Sequence, residues 1–214
     1  MGTIEVPMRT CASCFVVAGA LVAIVTPWHP NILDRPVAEV VRGFDAWALL
    51  HVITAAAVAL SFAGGVGMVA AHRGRLGRLG QVGLCILFVG VVLTASLSLT
   101  EAIVFPAAAR RLPSLVAVHG PVLGSALFYA AGVLGLGWPL GLALLGLGAA
   151  RARVFRRDAG VLLVVSGPIF LLLAGPFVPV AGALACVVFG LSQVWWGAII
   201  WRSAHGPALP ADLP

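Results

Sequence analysis

The chain contains no lysine: its thirteen basic residues are all arginine, and they face only seven acidic residues. Charge of either sign is scarce, at 9% of 214 residues with 61% hydrophobic. A soluble globular surface takes about 25% charged residues, so a soluble domain is excluded. The all-arginine bias reads as a GC-rich, actinobacterial coding background. No D-D-x-x-D string or paired aspartate-rich motif occurs, which argues against chemistry that ionises a diphosphate. Cysteine is limited to Cys11, Cys14, Cys85 and Cys186. The C-x-x-C spacing of Cys11 and Cys14 opens an apolar run and has no second pair to complete a metal site.

What is abundant is apolar sequence, with a mean hydropathy of +1.10. Six runs are long enough, at about twenty residues each, to cross roughly 30 Å of hydrocarbon: 12–28, 46–71, 79–105, 121–150, 159–178 and 180–201. The expectation is a single all-α domain, a polytopic bundle of about six transmembrane helices. The last two runs form a hairpin about Gly175–Pro179, where proline removes a donor and favours a turn. Arg9 precedes an apolar stretch that ends in Pro27 and Trp28 rather than at a small-residue cleavage site, so that stretch reads as a retained helix. Arg9, the group Arg73, Arg75 and Arg78, the group Arg151, Arg153, Arg156 and Arg157, and Arg202 all fall on one face. By the positive-inside tendency that face and both termini are cytoplasmic, in a bacterial inner membrane. The net charge of +6 is thus a topology signal, and no nucleic-acid partner is expected. The pattern R-x-R-x-x-R recurs 78 residues apart, at Arg73 and Arg151. It reads as two independent basic loops or as a duplicated helical hairpin.

With the topology set, the intramembrane polar groups acquire depths. Glu101 is the only charge in its apolar run, and an acidic side chain at mid-membrane costs about 2.5 kcal/mol or more. It persists where it faces a cavity or a partner, which makes it the first candidate for a functional group. Asp45 opens the second run, and His51 lies about 9 Å deeper at 1.5 Å per residue. His119 precedes the fourth run and Tyr129 lies further in. Trp28, Phe44, Trp47, Phe105, Phe128 and Phe177 lie around the same depth. Phe44, Trp47 and His51 share the i, i+3, i+7 spacing of one helix face. Each has a structural reading as well: Asp45 as a helix N-cap, the aromatics as an interfacial belt, His51 as a neutral histidine bonded to backbone. Trp195, Trp196 and Trp201 read as an inner belt, Pro139 as a kink, and Gln193 as a hydrogen-bonding group between helices.

Desolvation disfavours a charged carboxylate, so an acid among apolar walls is suited to deliver a proton. Protonation of an alkene or epoxide gives a carbocation that aromatic faces steady by about 0.5–2 kcal/mol per contact. Glu101 as acid, Asp45 or His51 as proton acceptor, and Trp28, Phe44, Trp47, Phe105, His119, Phe128, Tyr129 and Phe177 around the substrate are the parts of a proton-initiated cyclase. In size, helix count, intramembrane acid and the basic segment from Arg151 to Asp158, the chain resembles small actinobacterial multi-helix proteins. In general build it is similar to the membrane terpene cyclases of the drimentine type. That resemblance implies cyclisation of the farnesyl tail of a prenylated substrate, here expected to be an apolar polyprenyl or meroterpenoid entering from lipid; no cofactor and no metal are expected. Two other readings stay open: a haem b protein with His51 and His119 as axial ligands, without a C-x-x-C-H motif, and a proton-coupled transporter or membrane subunit. Asp45, His51, Glu101 and His119 would form a hard-metal set if they converged.

Overall fold

The computed structural model describes residues 8–174 and 178–203, which contain helices and connecting turns and no strand. The helices are α1 (Met8–Val25), α2 (Val37–Gly43), α3 (Trp47–Ala71), α4 (Arg73–Arg111), α5 (Ala126–Gly135), α6 (Gly137–Arg151), α7 (Arg157–Leu173) and α8 (Ala181–Ser203). Five stretches are long and apolar enough to cross a membrane: Met8–Trp28, Trp47–Ala71, Gly74–Arg111, Ala126–Arg151 and Ala181–Ser203. The fifth expected run holds α7, which stops at 17 residues. Of the expected hairpin turn, Gly175, Pro176 and Phe177 lie outside the described residues, while Val178 N donates to Leu173 O at 3.0 Å.

Helix boundaries depart from the apolar runs where backbone chemistry intervenes. The basic group Arg73–Arg78 is not a loop: it forms the start of α4, with Gly77 at φ +58°, ψ −158° breaking the helical path, a conformation open to glycine. The fourth run starts late, because the segment from Pro121 to Ser125 forms turns. Ser125 then caps α5, its Oγ accepting from Phe128 N at 3.1 Å. The run is broken again between α5 and α6 at Leu136, three residues before Pro139. Proline has no N–H, so the Gly135 carbonyl loses its helical donor. Thr94 Oγ1 of α4 donates to that carbonyl instead, at 3.1 Å. Helix α2 was not foreseen, since seven residues are too few to show a period. It forms by packing Val37, Ala38, Val40 and Val41 into a small apolar core with Trp47, Phe105, Ala109 and Val116.

Six helices close a ring in which each packs on two others, in the order α1, α3, α4, α6, α7, α8 and back to α1. Helix α5 leans on α4. The seams are made by small residues that let backbones approach. A Cβ added at Gly19 would meet Gly190 O and, at 2.8 Å, Val194 N; one at Gly197 would meet Ala12 O at 2.7 Å. These pairings make α1 and α8 antiparallel. Inside the ring, Ser61 Oγ donates to Gln193 Oε1 at 2.7 Å and Ser166 Oγ to Ser192 Oγ at 2.9 Å, so Gln193 does bond between helices. Trp196 is not a belt residue: it is fully buried, its ring 4.9 Å from that of Phe15. Arg75 Nη2 reaches Arg153 O at 3.4 Å, which puts the two basic segments at the same end of the bundle.

Candidate functional site

At the opposite end, three distant segments bring two imidazoles and a carboxylate together. His51 sits one turn into α3 and is buried. Glu101 comes from α4, and its Oε2 is 2.6 Å from His51 Nε2. The third member, His29, follows the 3-10 turn Thr26–Trp28 at the end of α1, with its Nε2 3.2 Å from His51 Nε2. The ligand atoms of all three lie within 4.8 Å of one another.

The hydrogen bonds on the far side of each ring fix what faces inward. His51 Nδ1 is 2.7 Å from Trp47 O and His29 Nδ1 is 2.9 Å from Pro30 O. A carbonyl only accepts, so each Nδ1 carries the hydrogen and each neutral ring presents a lone pair at Nε2. Two nitrogen lone pairs and a carboxylate oxygen therefore converge with no hydrogen of their own among them. A cation, either a shared proton or a metal ion, would satisfy all three. Burial first, and then the facing His51, hold the His29 imidazole below its ordinary protonation range.

Aromatic rings flank the centre. Trp47 lies against His51 with centroids 4.5 Å apart and planes tilted by 34°, and its Nε1 donates to Glu101 O at 2.8 Å. Trp47, Phe105 and Phe128 continue as a stacked row with spacings of 6.4 and 6.3 Å. Phe105 and Phe128 are covered by their neighbours in this row, while Trp47 also borders a crevice. The Glu101 side chain is 21% exposed and His51 only 3%, so access to the centre runs past the carboxylate and His29. His29 also borders a cavity of about 280 Å³ shared with Asn31, Asp34 and Cys186.

Of the residues expected here, the structure joins Glu101, His51 and Trp47, with Phe105 and Phe128 behind. Asp45 is exposed and does not cap α3, whose N-cap is Ala46 with no side-chain bond. It borders a separate crevice with Arg42 and Arg110. His119 is exposed in the loop after the 3-10 turn Pro113–Val116 and outside the cluster, so the His51/His119 ligand pair is not brought together. Trp28 and Tyr129 face outward, 73% and 74% exposed. Phe44 is half-buried at the end of α2, and Phe177 lies outside the described residues. His29 was missed from sequence. The available signal was its place one residue beyond the first apolar run, at the depth assigned to His51 and Glu101. No family model, curated protein or solved structure matches the chain.

Proposed function

We propose that this chain is a multi-pass bacterial inner-membrane enzyme, both termini cytoplasmic, whose His29, His51 and Glu101 bind one divalent metal ion, zinc first, and act on a lipid-borne substrate. The carrying observation is the convergence of three lone-pair donors with both Nδ1–H groups already spent on backbone carbonyls. Metal-ligating histidines nearly always donate their second nitrogen in this way, which fixes tautomer and ring orientation. Ligands 2.0–2.1 Å from a tetrahedral ion stand about 3.3 Å apart, close to the 3.2 Å between the two Nε2 atoms, whereas the 2.6 Å from His51 Nε2 to Glu101 Oε2 is a hydrogen-bonding distance that an ion would have to widen. Two histidines and a glutamate leave a fourth position for water or substrate, as catalytic zinc sites do. An ion there would polarise a carbonyl or phosphoryl oxygen or activate a bound water for ester hydrolysis. The cytoplasmic placement of the termini is supported by the larger share of the arginines lying at the end away from this centre, Arg42 and Arg110 being on its own side.

The alkene-protonating cyclase expected from the sequence uses the same Glu101, with the centre holding a proton in place of a metal. The stacked row beside Glu101 lends it aromatic rings, though closed against one another.

The test is metal content and Co²⁺ spectroscopy on detergent-purified protein stripped with chelator and reloaded. One equivalent of metal per chain, with the visible bands of tetrahedral Co²⁺ lost in His51→Ala and His29→Ala, is expected. Folded wild-type protein that takes up no stoichiometric metal would sink the metal centre. Product of unchanged mass from farnesylated acceptors, made equally with chelator present and lost in Glu101→Gln, would establish the cyclase.

A further inference from the structure

Two cavities share Phe44 as a wall. The first, about 410 Å³, lies among α2, α3 and α4 and is bordered by Arg42, Asp45, Trp47 and Arg110. The second, about 250 Å³, is an apolar groove where α1 and α3 approach, bordered by Ile24, Trp28, Leu49 and Ile53. Phe44 belongs to both.

The two arginines are held in the same way. Arg42 Nε donates to Ala38 O at 3.1 Å and Arg110 Nε to Pro106 O at 3.3 Å, each four residues back on its own helix. That bond directs the stem and leaves the terminal Nη groups for another acceptor. Among the described residues the ion pairs are His51 with Glu101 and Arg156 with Asp158, so no carboxylate neutralises Arg42 or Arg110. Asp45 shares the crevice without pairing to either. Two guanidinium groups against one carboxylate make the crevice cationic, and the planar fork of arginine matches phosphate oxygens. Trp47 forms part of its wall, and the carbonyl of the same residue holds His51 Nδ1. The crevice therefore abuts the His29, His51 and Glu101 centre.

We infer that these two adjoining cavities bind a single-chain amphiphile with a phosphate head, the phosphate between Arg42 and Arg110 and the hydrocarbon chain running past Phe44 into the groove. This rests on the reading of the chain as an enzyme for lipid-borne substrates and names their class: phosphorylated lipids whose head is delivered beside the metal position. An apolar ligand without a head would leave the arginines unpaired, and a free phosphate would leave the groove unfilled.

The experiment is binding of farnesyl phosphate, followed by calorimetry in dodecyl maltoside, a detergent without phosphate, with farnesol and inorganic phosphate as controls. Arg42→Gln and Arg110→Gln should each weaken farnesyl phosphate about tenfold or more, and Leu49→Gln should weaken it as well. Farnesol affinity should be the same in wild type and both arginine variants. Equal binding of farnesyl phosphate by wild type and the arginine variants would overturn the inference. So would inorganic phosphate that competes with farnesyl phosphate at equal concentration, because the groove would then contribute nothing. Metal content is measured on the same samples. Arginine-dependent binding by a wild type that takes up no metal would leave this inference standing and remove the metal centre. Full metal uptake with arginine-independent binding would do the reverse.

Discussion

His51 on α3 and Glu101 on α4 meet with Nε2 and Oε2 2.6 Å apart, while the backbone of Trp47 holds the other side of the same imidazole at 2.7 Å. The contact locks two helices at the level where α1 ends. Glu101→Gln keeps the volume and removes the anionic group that would ligate the proposed metal. Metal affinity should fall by more than about 100-fold, beyond the 10–100-fold typical of outer-shell changes, and competition with a chromophoric chelator reads it.

Trp47→Phe keeps the ring stack and deletes one donor, the Nε1–H given to Glu101 O at 2.8 Å. Losing one hydrogen bond of this kind costs about 1 kcal/mol of stability. A metal-affinity loss within about 10–100-fold should accompany it, with stoichiometry unchanged. Thermal unfolding and chelator competition on the same sample separate the two effects.

Gly19→Ala tests the α1–α8 seam. The new Cβ would meet Gly190 O and Gln193 Cβ, the latter at 2.9 Å, and backbone cannot step aside as a flexible side chain can. Overpacking of this kind costs about 1–3 kcal/mol. Gly132→Ala, where nothing lies within 4 Å of the added carbon, should unfold in detergent as wild type does.

Ser61→Ala removes the hydroxyl that Gln193 Oε1 accepts from at 2.7 Å. Hydrogen bonds between membrane helices are worth about 0.6 to 1.7 kcal/mol, and that loss is expected here. The Gln193 amide nitrogen already has no partner among the described residues. Adding Gln193→Leu to Ser61→Ala should therefore restore most of the stability, because the buried amide goes with its hydroxyl.

His72 joins α3 to α4, its ring edge-on to Phe155 at 5.2 Å and its Nε2 buried without a partner among the described residues. Burial first, and then Arg75, lower its protonation range below the ordinary imidazole value of 6.5. The unfolded chain then binds the proton more readily. The contribution of His72 to stability is complete above pH 6.5 and is lost as pH falls from there through the folded value. The melting temperature should drop across that window in wild type and drop less in His72→Gln.

The apolar runs disclosed the helices because length and hydropathy alone decide them, and the depth of His51 and Glu101 followed from the same count. Helix phase was not legible. In this bundle both the lipid face and the core face are apolar, so nothing in the sequence told that Phe128 turns inward while its neighbour Tyr129 turns out. Trp28 was misplaced for the same reason. His29 belongs to a turn, where no period assigns a direction. Its partner became visible only when the end of α1 was seen beside α3. Asp45 and His119 are exposed in turns outside the cluster, where no helical period assigns a direction. The break at Leu136 was foreshadowed by Pro139, but its repair by Thr94 depends on a neighbour across the bundle.

Because α1 and α8 close the ring, α1 leaves the ribosome well before the helix it packs against. Until α8 emerges, Gly19 and the backbone around it face lipid, and the groove that Gly190 and Gly197 will fill stands open. Closure of the ring is thus postponed until α8 has been made, as with any architecture whose contacts join distant parts of the chain. The cluster of His29, His51 and Glu101, by contrast, is assembled wholly from the first 101 residues. A metal ion captured there would hold α1 against α3 and α4 while its final neighbour is still being made, acting as a timing device for membrane assembly as well as a reaction centre.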